Sequence, residues 1–348
     1  MPILLSHNSS LERLRAVPPQ VDTARRTGKP LQLDSVIPKG RELTRLDPTS
    51  PGVSQHPLHH VIPSSAKRSL SKDVRSHLCS LEQIPSGLLL DLGEGLYSAG
   101  PELTFIQMAS QTSLVGAVVL GHELCGTYSH FSKFVSGFYD RPALTSTSAI
   151  QNAIERLKGL RGLGPARTAL RWIRDGSASP METVVSCMLH LPCSLGGFGL
   201  MPPELNCKET LDEAARHISC KKTCRVDTAY RFLSEGTWHK EGLEFDGESY
   251  HRDAEADRVR REALAHMGWT IYVVDVDDMT TYKRIKEKVA LLDRVPRQRG
   301  SEEVDERKGK ELLSRLLRAT RFGVGQAPSE ASVPRKTKQT FRRRGAGL

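Results

Sequence analysis

The chain has 348 residues, 38% of them apolar and 26% charged, with a formal net charge of +10 and a sequence pI near 9.3. That length suggests two domains with tails, and the composition is that of a globular chain diluted by polar linkers. No apolar run approaches the roughly eighteen residues of a membrane helix, and residues 1–5 lack a basic leader, so a cytoplasmic protein without membrane or signal segment is expected.

The basic excess attracts polyanions, nucleic acid first among them. Much of it sits in the tail, where Arg335, Lys336, Lys338, Arg342, Arg343 and Arg344 follow the last acid, Glu330. Seven scattered cysteines, an odd number, read as free thiols in a reducing compartment. Cys220 and Cys224 have no second pair at zinc spacing and are read as incidental.

Residues 1–75 are expected to be irregular apart from a short helix over Leu11 to Arg15 capped at Ser9–Ser10, because prolines at 18, 19, 30, 38, 48, 51, 57 and 63 interrupt longer elements. His56, His59 and His60 fall in this loop-like stretch and are expected at the surface. From 76 to 175 the pattern is small α+β: short strands around Leu88–Tyr97, a helix opening at Pro101, an apolar helix from Leu114 to Leu124, and a helical stretch from Ser148 to Ile173. That last stretch carries Arg156, Lys158, Arg161, Arg167 and Arg171, with Arg174 just beyond, which suit phosphates or a solvated face.

Ser179-Pro180-Met181-Glu182 is a helix start, with Ser179 as N-cap and Glu182 placed either to cap or to reach a site. The stretch Arg225 to Phe232 alternates like a strand, and a turn at Ser234-Glu235-Gly236 leads to a second strand ending Leu243-Glu244-Phe245-Asp246-Gly247. Alternate strand residues share a face, so Glu244 and Asp246 point together, and a hairpin partner brings Asp227 beside them. Three carboxylates on one face suit one or two Mg²⁺ ions, which polarise a phosphodiester and activate water. A helix from Asp253 to Met267 follows, with Asp257 and Arg260 three apart, and then a buried-type strand from Trp269 to Val274. Asp275, Asp277 and Asp278 read as a solvated strand end. Amphipathic helices over Thr280 to Leu292 and Glu303 to Leu317 precede a tail, from about Gln326, with almost no core-forming residues.

The run Val226-Asp227, Leu243-Glu244-Phe245-Asp246-Gly247, His251, Asp257, Arg260, Leu264, Gly268-Trp269 resembles the endonuclease-like domain related to very-short-patch repair nucleases, a branch of the PD-(D/E)XK restriction-endonuclease-like fold. The resemblance covers about residues 179–278. It implies an αβββαβ core and Mg²⁺ chemistry on DNA, with Asp227, Glu244 and Asp246 as catalytic metal ligands, His251 as base or phosphate donor, and Glu182, Asp257 and Arg260 in support. The lysine that ends (D/E)XK is Asp246 here, so His251, Lys240 or Arg260 must supply its role, His251 first. Residues 1–7 and 98–105 resemble proteins that fuse this domain to an AbiEi-like region, related to winged-helix regulators and antitoxins of abortive-infection systems. Expected therefore are an α/β (α+β overall) chain with an irregular segment at 1–75, a winged-helix-like region at 76–175, a restriction-endonuclease-like domain at 176–295 and a charged helix with basic tail at 296–348. The expected function is a DNA endonuclease; the alternatives are a non-catalytic DNA-binding regulator of toxin–antitoxin type and a degenerate domain used for protein contacts.

Overall fold

Short apolar runs set the first sheet. Strand β1 (Ile3–Leu5) is buried throughout and sits inside a six-stranded sheet, parallel to β8 (Leu96–Ala99) and antiparallel to β4 (Leu58–Ile62). The sheet order is β2 (Arg25–Arg26), β7 (Leu89–Asp91), β8, β1, β4, β5 (Val74–Leu78). The computed structural model describes residues 2–17, 22–36, 43, 46–47, 51–53, 57–69, 71–130, 137–246, 254–300 and 304–322. Among these residues the chain is a mixture of α and β with several sheets, and no helix is long and apolar enough to cross a membrane.

Two expectations for residues 1–75 change. His59 and His60 are buried, not at the surface, because all of β4 lies in the middle of the sheet with both faces covered; His56 lies outside the described residues. Helix α1 (His7–Ala16) starts after Ser6 rather than after Ser9–Ser10. The Ser9 and Ser10 hydroxyls instead accept the N–H groups of His59 (2.9 Å) and Ala99 (3.2 Å), satisfying backbone donors where the helix crosses the sheet.

Beyond the sheet, helices α2 (Pro101–Ala109), α3 (Leu114–Cys125), α4 (Thr147–Arg156) and α5 (Leu163–Leu170) pack together. Helix α3 is buried all round from Val115 to Cys125, whereas α4 buries only Ile150, Ala153 and Ile154, at the spacing of one helix face. Small pairs β3 (Leu31–Gln32) with β6 (Gln83–Ile84), and β9 (Tyr128–His130) with β10 (Phe138–Asp140), complete this part.

The second sheet has the order β11 (Glu204–Thr210), β12 (Thr223–Ser234), β13 (Thr237–Asp246), β14 (Trp269–Asp275). The first three are antiparallel neighbours; β14 runs parallel to β13, which needs the crossover helix α8 (Ala254–His266). Helix α6 (Pro180–His190) precedes this sheet and α7 (Glu213–Ser219) joins β11 to β12. Strand β11 and α7 were not evident in the sequence. At Gly242 of β13 an added Cβ would meet the side-chain methyls of Val226 at 2.6 Å and Ile271 at 2.7 Å, so a larger residue there must push them aside. One continuous core runs from Leu4 through α2–α6 to Leu243 and Val274. It takes in Tyr282, Ile285 and Val289 of α9 (Tyr282–Val289), and Leu312, Leu313 and Leu316 of α10 (Glu306–Phe322).

Candidate functional site

The pairing of β12 with β13 runs from Ser234–Thr237 at the turn to Thr228–Leu243. Just beyond, the Asp227 carboxylate accepts the N–H of Phe245 at 3.0 Å, so a side chain takes over where the backbone ladder stops. This places Asp227 beside Glu244, the next residue along β13. Helix α8 lays Arg260 against the same point: its Nη2 donates to Glu244 Oε2 at 2.9 Å and lies 3.6 Å from Asp257, while its Nη1 donates to the carbonyl of Arg225. The i,i+3 spacing of Asp257 and Arg260 puts both on the helix face that meets the strand ends.

From the other side comes Glu182, on the first turn of α6. Ser179 accepts its N–H at 3.1 Å, and its Oε2 accepts the N–H of Ala178 (2.8 Å) and the amide N–H of Asn206 (2.6 Å). Glu182 is thus a helix cap, and the charge of Asp227 adds to the rise in its proton affinity.

The electrostatics are lopsided. Glu244 is 3% exposed, and burial, with the repulsion of Asp227, pushes its carboxyl up to about 7 despite Arg260. Burial and then the Asp227 charge push Glu182 up to about 7 as well, and Asp227 itself is raised, chiefly by burial. Glu244 Oε1 is buried and, among the described residues, has no hydrogen-bond partner. Buried charge must be paired or neutralised. Among the described residues Arg260 alone contacts Glu244 and Asp257 directly, while Asp227 adds a further negative charge beside Glu244, so acid outweighs base at this point.

A divalent cation fits that deficit in part. Asp227 and Glu244 offer hard oxygen ligands, and Glu244 Oε1 is the orphaned atom such an ion would satisfy. Among the described residues, however, no three His, Cys, Asp or Glu side chains come together as a ready metal cage. Mg²⁺ commonly binds through one or two carboxylates, taking its remaining ligands from water and substrate phosphates. The pair suits that mode.

The other expected site residues fall as follows. Asp246 ends β13, part-exposed and in register with Asp275, and the charges that bear most on Glu244 are Arg260, Asp227, Arg261 and Asp257. His251 lies outside the described residues. Lys240 is engaged elsewhere: it donates to Glu209 (2.8 Å) and the Met267 carbonyl (3.1 Å), near the buried ring of Trp269. Asp275 and Asp278 each donate a backbone N–H to the other's carboxylate, and Asp278 pairs with Lys288 at 2.9 Å. Asn206, which orients Glu182, was invisible in the sequence; its positive φ of 48°, a conformation asparagine tolerates better than most residues, becomes apparent only in the fold.

Compared with family models, with curated proteins and with solved structures, the chain matches none.

Proposed function

We propose that the protein binds DNA and hydrolyses phosphodiester bonds with Mg²⁺ at the Asp227–Glu244 pair, in a restriction-endonuclease-like domain. The observation that carries this reading is the meeting of the buried Glu244 with the part-buried Asp227 at the divergence of β12 and β13, with Glu244 Oε1 unpartnered among the described residues. The succession α6, β11, β12, β13, α8, β14, interrupted by the short α7, supports it, because it agrees with the αβββαβ order that the motif resemblance implies.

In this reading Asp227 and Glu244 hold the ion. Bound Mg²⁺ supplies polarisation of a phosphate oxygen and a more acidic water. Arg260, already aimed at Glu244, presents donors to a non-bridging phosphate oxygen. Glu182, held near neutral proton affinity, takes up a proton at about the working pH. His251 remains the candidate for the role of the missing lysine, and Asp246 for an outer ligand.

The test is nicking of supercoiled plasmid with Mg²⁺. Wild type is expected to nick, and Glu244→Ala to lose about a hundredfold or more in rate, as for removal of a main electrostatic contributor. Equal activity in both proteins, or none with any divalent ion, would sink the catalytic assignment.

A second reading, a DNA-binding regulator without catalysis, is favoured by one observation. Arg156, Lys158, Arg167 and Arg171 are all exposed on and beside α4 and α5. Substituting all four with alanine in the full chain should then abolish promoter binding while Glu244→Ala leaves it intact.

A further inference from the structure

Far from the carboxylate pair in sequence, a pocket of about 290 Å³ opens where β4 and β5 meet α1, α2 and the turn before α5. Its size is at the lower end of small-molecule sites. Two histidines form part of its lining. His7 and His77 stack with ring centroids 3.6 Å apart, and His77 Nε2 is hydrogen-bonded to His59 Nδ1 at 2.9 Å. Gln111 can only donate its amide N–H to His77 Nδ1 (3.4 Å), so His77 donates from Nε2 to His59. Burial, mutual repulsion and nearby arginines push His7 down to about 2, His77 to about 3 and His59 to about 4, so all three are neutral in the folded protein.

His7 is also strained. It is buried at φ 49°, in the left-handed region, which for a residue with a Cβ costs on the order of 1–2 kcal/mol. Its N–H donates to Gln107 Oε1 (3.1 Å) and its ring meets Ser6 Oγ (3.0 Å), so it is fastened where it stands.

The mouth is positive. Arg68 and Arg161 line it and are exposed; among the described residues neither has a carboxylate partner, and no acid lines the pocket. Charge from Arg161 reaches both His7 and His77. One wall is apolar, with Leu160 and with Leu78, the latter 53% exposed at the end of the edge strand β5. A metal does not suit this place, since among the described residues no three ligand-type side chains are placed to hold one, and His77 Nε2 and His59 Nδ1 are already joined to one another.

Two unpaired guanidiniums without a competing acid are suited to a dianion, and guanidinium matches phosphate in shape as well as charge. We propose that this pocket binds a small phosphomonoester of about mononucleotide size, with Arg68 and Arg161 on the phosphate and Leu78 and Leu160 against the rest of the molecule. The proposal does not depend on the nuclease reading.

The experiment is calorimetric titration of the full chain with ribose 5-phosphate and the four common 5′-mononucleotides, using inorganic phosphate and the matching nucleosides as controls. At least one phosphomonoester is expected to bind, its nucleoside or sugar about tenfold or more weaker, and Arg161→Ala and Arg68→Ala each to weaken it about tenfold, the worth of one charge-assisted contact. Both arginines are exposed, so neither change threatens folding. The proposal is overturned if no probe binds at about 5 mM, a free-energy floor near 3 kcal/mol. It is equally overturned if nucleosides or inorganic phosphate bind as well as the phosphomonoester, or if both arginine variants retain wild-type affinity.

Discussion

Two buried carboxylate sites, one in each half of the molecule, show opposite electrostatics. Glu123 on α3 is 1% exposed, and burial alone would push its carboxyl up, yet it lies near 2. Arg15 donates to it twice, at 2.7 Å and 2.5 Å, the N–H of His130 adds a third bond, and the charge of Arg141 helps. Glu244 is equally buried but shares one arginine with Asp257 and faces Asp227, and it lies near 7. The first acid is saturated with donors and serves the fold. The second, among the described residues, has an oxygen left over and a surplus of like charge, the condition in which a site accepts a cation or a proton.

The sharpest way to break this comparison is to remove a partner from the saturated pair. Arg15→Ala leaves Glu123 buried and uncompensated and should cost about 3–5 kcal/mol, read by urea denaturation at pH 7. A loss under 1 kcal/mol would mean that the pair is not what neutralises that acid.

The unsaturated site should respond in the opposite sense. The folded proton affinity of Glu244 lies above its unfolded value of 4.5, so its contribution to stability is complete below about pH 4.5 and is lost as the pH rises through 7. Glu123, with a folded value near 2, contributes stability above pH 4.5 that is lost only as the pH falls towards 2. In EDTA, Glu244→Gln should therefore be more stable than wild type at pH 8, by up to about 3 kcal/mol, and indistinguishable at pH 4.5. Denaturation across that range checks it; a variant destabilised at pH 8 would show that Glu244 is paired rather than in surplus.

The smallest effect concerns the backbone that carries the site. Gly242→Ala pushes a methyl against Val226 and Ile271 and should cost about 1–3 kcal/mol. Unchanged stability would show that β12, β13 and β14 have slack at the point where Asp227 and Glu244 are aligned.

Much of the second sheet was legible from local patterns. The alternation over β12, the Glu235–Gly236 turn, the apolar stripe of α8 ending at Gly268 and the apolar run of β14 all express their structure over short windows. Strand β11 did not, because Glu-Leu-Asn-Cys-Lys-Glu-Thr is polar and buries little beyond Leu205 and Glu209. Strand β4 was misread for the converse reason: adjacent histidines look like surface, and only the covering helix α1 and the neighbouring β1 and β5 make them core.

For the candidate site, alternation and spacing nominated Asp227, Glu244, Asp246, Asp257 and Arg260, because strand and helix periods are properties of the local chain, while Glu182 and His251 were nominated by the resemblance. Their relation was decided by tertiary structure alone. Which acid meets Asp227, that Arg260 is drawn onto Glu244, that Lys240 is taken by Glu209, and that Asn206 steadies Glu182 all depend on contacts between segments 16 to 31 residues apart. Burial likewise turned ordinary carboxylates into acids held near neutral proton affinity. Desolvation is a property of the whole packed chain, and no short stretch of sequence encodes it.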